Sequence, residues 1–383
     1  MLWTLGGEYD GPHPWRRSGR WRPDHRRVRQ VAEAVDTLPF SGALMAIGLP
    51  GTFDPWTMAA SIAPVTERMR FLIAAYPGVM TPTQLALAAL SLDHVSDGRL
   101  MINVVGSNPV TMAAHGLHLE KDQRYRMLSD YWNAFRTLYA GQQPPASELF
   151  PIERPETFLS LEPRQTPHPP LWGAAGSPEG LQAVVPLVDT YLAAVGTPTE
   201  LAQRTALAAE IARQLGRPVP SFGVSIGVLV RETEDEAWAE AERKLAHVSI
   251  DEIKASKGWQ AALAADPATA DARERRCIEA IEDGRMLAAR DLEFYPNMWN
   301  GPIDRAGIDL RRLLAAPNSM LIGDPRQVAE RMREIQTIAG IDRFIIWAPP
   351  FHEEAYRVAD LLLPQLDLDA RLAPAAAPLG AVA

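Results

Sequence analysis

Short apolar runs alternate with longer stretches whose apolar residues recur every three or four positions, along almost the whole chain. The first run, Leu2 to Leu5, precedes a Gly- and Pro-rich loop and a helix over Asp24–Thr37. Gly42–Ile47 predicts a second strand. The helix after it starts at Pro55, with Asp54 as N-cap and proline at the first helical position. Phe71–Gly78 and Leu100–Gly106 read as buried strands, followed by helices over Pro82–His94 and Asp122–Tyr139. A Pro-rich stretch, Gln142–Pro170, interrupts the rhythm. It resumes with strands over Pro169–Gly176, Thr190–Val195 and Phe222–Val230, whose helices are one beginning near Ser177, Pro198–Leu215 and Glu234–His247. The chain closes on a helix over Pro325–Ile338, an eighth strand over Phe344–Trp347 and a last helix over Glu353–Leu366.

Continuous apolar strands between amphipathic helices imply an α/β protein whose parallel sheet is covered on its outer face. Eight such units in series favour a closed (β/α)8 TIM barrel; an open doubly wound sheet is the alternative the pattern allows. The expected organisation is one domain over residues 1–367 and an Ala- and Pro-rich flexible tail over 368–383. Residues 248–320 form an insertion between the seventh unit and the eighth strand. Its middle, DARERRCIEAIEDGR, is helical in character, and its end, FYPNMWNGPIDRAGIDLRRLL, reads as a loop. Long insertions in barrel βα loops commonly form lids.

Composition narrows the function classes. A hydrophobic content of 47% and a charged content of 22% fit a soluble globular chain. The net charge of −9 argues against a nucleic-acid backbone as partner. The early arginines, Arg16 to Arg29, read as a solvated loop and helix. A single cysteine, Cys277, excludes an internal disulfide and a thiolate metal cluster. The start lacks the pattern of a signal peptide, and no apolar run approaches the roughly 20 residues that span a bilayer. A cytoplasmic location is expected. His94, His115 and His118 lack metal-ligand spacing, so no metal is expected. There is no Walker loop or CxxC pair.

One turn has the make-up of an anion site. Gly173-Ala174-Ala175-Gly176-Ser177 follows a buried strand and opens a helix. Glycine lets a ligand approach the backbone, and a helix start offers free N–H groups. The same spacing also occurs in ordinary strand-to-helix turns.

Taken in order, MLWTL, PWTMAASIAPVTERMRFLIAAYPGV, SLDHVSDGRLMINVV, GLHLEKDQRY, HPPLWGAAGSPEG, VDTYLAAVG, FGVSIGVLVRETEDEAWAEAER, NMWNG and MLIGDPRQVAERMREIQ resemble the bacterial luciferase-like flavin monooxygenases, in particular their alkanesulfonate monooxygenase branch. The collinear match extends over about residues 1–367. The resemblance implies an FMN-dependent barrel, a homodimer or homotetramer, that receives reduced FMN from a separate flavin reductase and reacts it with dioxygen. It implies flavin-phosphate contacts from Gly176, Ser177 and Tyr125, with Arg124 beside the latter. Ala74 and Ala75 leave room for a flat ring, and the amide of Asn103 can pair with the ring's polar edge.

The chain departs from that branch at its catalytic positions. An arginine and a histidine on strand seven are matched by Ser225 and Gly227, a cysteine near strand two by Thr52, a histidine after strand one by Glu8, and a tyrosine after strand eight by Pro349. Losing both strand-seven cations removes charge-assisted contacts of about 1.5–3 kcal/mol each. Glu8, Arg305 and Arg312 are the candidates to replace these groups at the mouth and in the insertion. The expected activity is oxidation of a small organosulfur or specialised metabolite by reduced FMN and O2. The alternatives are a deazaflavin-dependent oxidoreductase and a non-catalytic flavin-binding protein.

Overall fold

The computed structural model describes residues 1–5, 10–11, 24–46, 53–105, 109–246, 249–254, 272–299 and 319–366. Seven parallel strands run in chain order: β1 (Leu2–Thr4), β2 (Gly42–Met45), β3 (Arg70–Ala75), β4 (Leu100–Val104), β5 (Leu171–Ala174), β6 (Thr190–Ala193) and β7 (Ser221–Val230). Two strands of the insertion, β8 (Glu293–Tyr295) and β9 (Met298–Trp299), precede β10 (Met320–Gly323) and β11 (Ile341–Trp347). β11 pairs in parallel with both β7 and β1, so β1 to β7 and β11 close an eight-stranded parallel barrel. The open-sheet alternative is thereby excluded.

The helices begin where the sequence supplies caps. Asp24 accepts from the Arg26 N–H ahead of α1 (His25–Thr37), and Asp54 caps α2 (Pro55–Ile62) through the Thr57 N–H. α3 (Pro82–Val95), the short α4 (Pro109–Ala114) and α5 (Lys121–Tyr139) follow. α6 (Pro178–Val184) is capped by Ser177, and α7 (Pro198–Gln214) and α8 (Glu234–Leu245) carry capping boxes from Thr197/Glu200 and Thr233/Glu236. The insertion contributes α9 (Ile250–Lys254) and α10 (Ala272–Glu282). α11 (Pro325–Ala339) ends on Gly340 in the left-handed region, and α12 (Phe351–Leu361) completes the outer layer.

Strand alternation sorts the core into layers. Leu2, Leu72, Met101, Trp172, Leu192 and Ile345 pack together inside the barrel. Their neighbours Phe71, Ile73, Ile102 and Val104 face outward against the helices. A separate cluster, including Leu229, Trp238, Cys277, Ile281, Trp299 and Met320, packs the insertion against β7, α8 and β10.

β7 joins the two bodies. Its first residues pair with β6 and β11, and Gly227–Val230 pair with β10, which continues antiparallel into β9 and β8. Part of the segment read as loop is therefore a hairpin. Pro296-Asn297 turns it, with Asn297 at φ 60°, the arrangement of a type II turn. The remainder of that segment lies outside the described residues. Among the described residues no helix is long and apolar enough to cross a membrane.

Candidate active site

The barrel interior is plugged at its N-terminal end. Arg343, on the inward side of β11, stands over the Trp172 ring at 5.8 Å and donates to Ser221. Arg70 points inward from β3 and donates to Gln165. The opposite end is the one at which barrel sites form, from the carboxyl ends of the strands.

The register defines what faces inward there. Ala74 pairs with Asn103, and Asn103 pairs with Trp172, on three successive strands. Trp172 belongs to the inner cluster, so Ala74 and Asn103 also point into the barrel. Asn103 Oδ1 is buried and has no hydrogen-bond partner among the described residues; the same holds for the inward Thr4 hydroxyl. Buried amide oxygens are rarely left so. Ala75, one residue on, falls on the outer side and packs in the barrel–helix layer. Its expected place in a ring bed is corrected: only its carbonyl, which accepts from the Val105 N–H, sits near the rim.

Next to Asn103, β5 ends in the glycine turn. Ser177 Oγ accepts from the Gly180 N–H at 3.1 Å and lies 3.4 Å from the Tyr125 hydroxyl. A side chain at Gly180 would meet Ser177 Oγ at 3.2 Å, so glycine permits this approach, whereas at Gly176 nothing lies within 4 Å. Tyr125, Gly176 and Ser177, drawn from two elements distant in sequence, thus converge on one corner, where the bond between the two hydroxyls uses one of their protons and leaves the other to be donated.

Across the mouth, Trp347 pairs with Gly227, and Ser225 lies one inward step below. Behind this side, Arg231 makes two 3.1 Å contacts to the buried Glu354, and Lys244 donates to the Pro349 carbonyl. Burial pushes the Lys244 ammonium below its ordinary range, while Glu240 and Glu354 hold it up. Glu8, Arg305, Arg312 and Thr52 lie outside the described residues. Sequence reading placed Ala174 only in the glycine turn and overlooked Ala194; alternation turns both inward at the mouth, where they are exposed. Their only signal was parity, two residues beyond the buried Trp172 and Leu192.

A family model described as luciferase-like monooxygenase matches residues 6–343. The chain belongs to the luciferase-like monooxygenase family. Among solved structures that share the barrel of this luciferase-like family is the long-chain alkane monooxygenase LadA, at 19% identity and TM-score 0.70, covering 95% of this chain and 90% of the other. The riboflavin lyase RcaE, solved with modified FMN and riboflavin, is 18% identical at TM-score 0.69, covering 95% and 90%. The coenzyme F420 dependent tetrahydromethanopterin reductase from Methanopyrus kandleri is 14% identical at TM-score 0.63, covering 95% and 98%.

Proposed function

We propose that the chain is a two-component flavin-dependent monooxygenase that takes reduced FMN from a separate reductase and oxidises a small organic substrate with dioxygen. The observation that carries this reading is the unpaired Asn103 Oδ1 beside Ala74 inside the barrel mouth. An acceptor left alone in a buried place destabilises the empty fold, and a ring ligand bearing an N–H removes that cost. When bound, reduced FMN supplies the electrons that activate dioxygen. The chain's own part is placement. Asn103 orients the polar edge of the ring, Ala74 makes room for it, and Tyr125 and Ser177 donate to the phosphate. Residues 248–320 serve as the lid that excludes water, and Glu8, Arg305 and Arg312 are assigned to substrate handling at the mouth. Ser225 and Gly227 offer no cation to a sulfonate, which supports a substrate other than a sulfonate held by strand seven.

The likeness to a coenzyme F420 dependent reductase supports a second reading, a deazaflavin oxidoreductase. Oxygen uptake that requires both reduced FMN and substrate separates the two. The site is tested by Ser177→Asp, in which a carboxylate faces the phosphate. Affinity for reduced FMN should fall by at least tenfold with the circular dichroism spectrum unchanged; undiminished affinity would remove the phosphate corner from the proposal.

A further inference from the structure

The mouth of the barrel is closed on one side by an indole that occupies the room of a neighbouring side chain. Gly227 and Trp347 are register partners on β7 and β11 and both face inward. A Cβ built on Gly227 would stand 2.5 Å from Met320 Cγ and 3.0 Å from both Cη2 and Cζ2 of the Trp347 ring. The ring therefore lies directly over the glycine backbone, with the Met320 thioether chain against it. Even alanine does not fit at 227 without displacing one of them. Trp347 is half-buried and packs against both the barrel–helix core and the insertion core, which fixes its plane from two sides.

The inward room at Gly227 is thus filled, and filled by an aromatic face. The rest of the inward row at this end carries no charge among the described residues: Thr4, Ala74, Asn103, Ala174, Ala194 and Ser225. The inward arginines, Arg70 and Arg343, lie at the other end, with Arg343 held over Trp172. An anion brought against the indole would lose hydration with no cation among the described inward residues of this end to meet it, whereas an apolar face gains contact area with the ring.

We infer that Trp347 lying over Gly227 is the specificity wall of the site, and that it selects an uncharged substrate with a flat or aliphatic apolar face. This rests on the reading of the barrel mouth as the flavin and substrate site. The test uses full-length protein saturated with FMN, titrated with 2-naphthol and with naphthalene-2-sulfonate, which share a ring system and differ in charge. Calorimetry should give at least tenfold tighter binding of the naphthol. Trp347→Ala should weaken naphthol binding at least tenfold, and Trp347→Phe, which keeps an aromatic face, should recover most of it. FMN affinity, measured separately, should stay within threefold in both variants. Sulfonate binding equal to or tighter than naphthol binding overturns the proposal, as does absent naphthol binding or a naphthol affinity unmoved by Trp347→Ala. Failure of wild-type protein to bind FMN strikes instead at the flavin reading, because the naphthol comparison can be run without flavin.

Discussion

Tyr139 donates its hydroxyl proton to Asp93 across 2.5 Å, at the closed end of the barrel. Gln165 donates to the other carboxylate oxygen and to the Leu100 carbonyl, tying the Pro-rich segment to the start of β4. Burial pushes the Asp93 carboxyl above its ordinary value, more than the Tyr139 and Gln165 donors hold it down. The folded chain therefore binds this proton more tightly than the unfolded chain does. The resulting stability is complete below about pH 4 and is lost as pH rises through the elevated folded value. Denaturant titrations should show wild-type stability declining relative to Asp93→Asn as pH climbs from about 4 towards neutrality. Parallel curves would contradict this. Tyr139→Phe, which strips a donor from a buried carboxylate, should cost about 1–3 kcal/mol at neutral pH.

Asn103 separates stability from function. Replacing it by leucine removes a buried acceptor that no described residue satisfies, so the empty protein should melt at the same temperature or higher. Flavin affinity should move the other way, by about 1–3 kcal/mol or roughly five- to a hundredfold. A variant that loses both, or neither, would show that the amide serves the fold alone.

Tyr125→Phe offers a finer probe of the phosphate corner. The phenol hydroxyl lies 3.4 Å from Ser177 Oγ, and its removal deletes one donor while leaving the ring packed. The variant should bind FMN about tenfold more weakly, as expected for a hydrogen bond to a charged group, and riboflavin equally well. An equal loss for both ligands would place Tyr125 away from the phosphate.

Behind the mouth, Glu354 is buried against Arg231 and also meets Arg357. Glu354→Ala leaves the Arg231 guanidinium, itself largely buried, without its principal partner. Unfolding should become easier by about 3–5 kcal/mol. The paired replacement Arg231→Met with Glu354→Leu should restore much of that, since it removes both charges of the pair and leaves Glu240 to Lys244. A double variant as unstable as the single one would mean that packing, and not charge, is at stake.

Much of the fold can be read in the sequence because local signals agree with it. Asp54-Pro55, Thr197 with Glu200 and Asp324 with Gln327 announce helix starts through contacts within four residues. What escapes such reading depends on partners far along the chain. Met320–Gly323 is a strand only because Gly227–Val230 stands beside it, and nothing within MLIG distinguishes it from the loop before a capped helix. The site divides in the same way. Tyr125 and Ser177 are chemically conspicuous, but Ala74 and Ala75 differ only in parity, and a step of one residue sends a side chain to the opposite side of the sheet. That Gly227 is covered by an indole is invisible until β7 and β11 are in register.

β7 is one unbroken strand that serves as barrel stave over residues 221–227 and as root of the insertion over 227–230. Between these two roles the strand offers no hinge. Gly227 pairs with β10 on one side and β11 on the other, so the excursion and the barrel meet at the glycine beneath the indole. Exchange of the excursion for one from a relative would accordingly need its graft point cut within the stave, with residues 227, 320 and 347 transferred as a set.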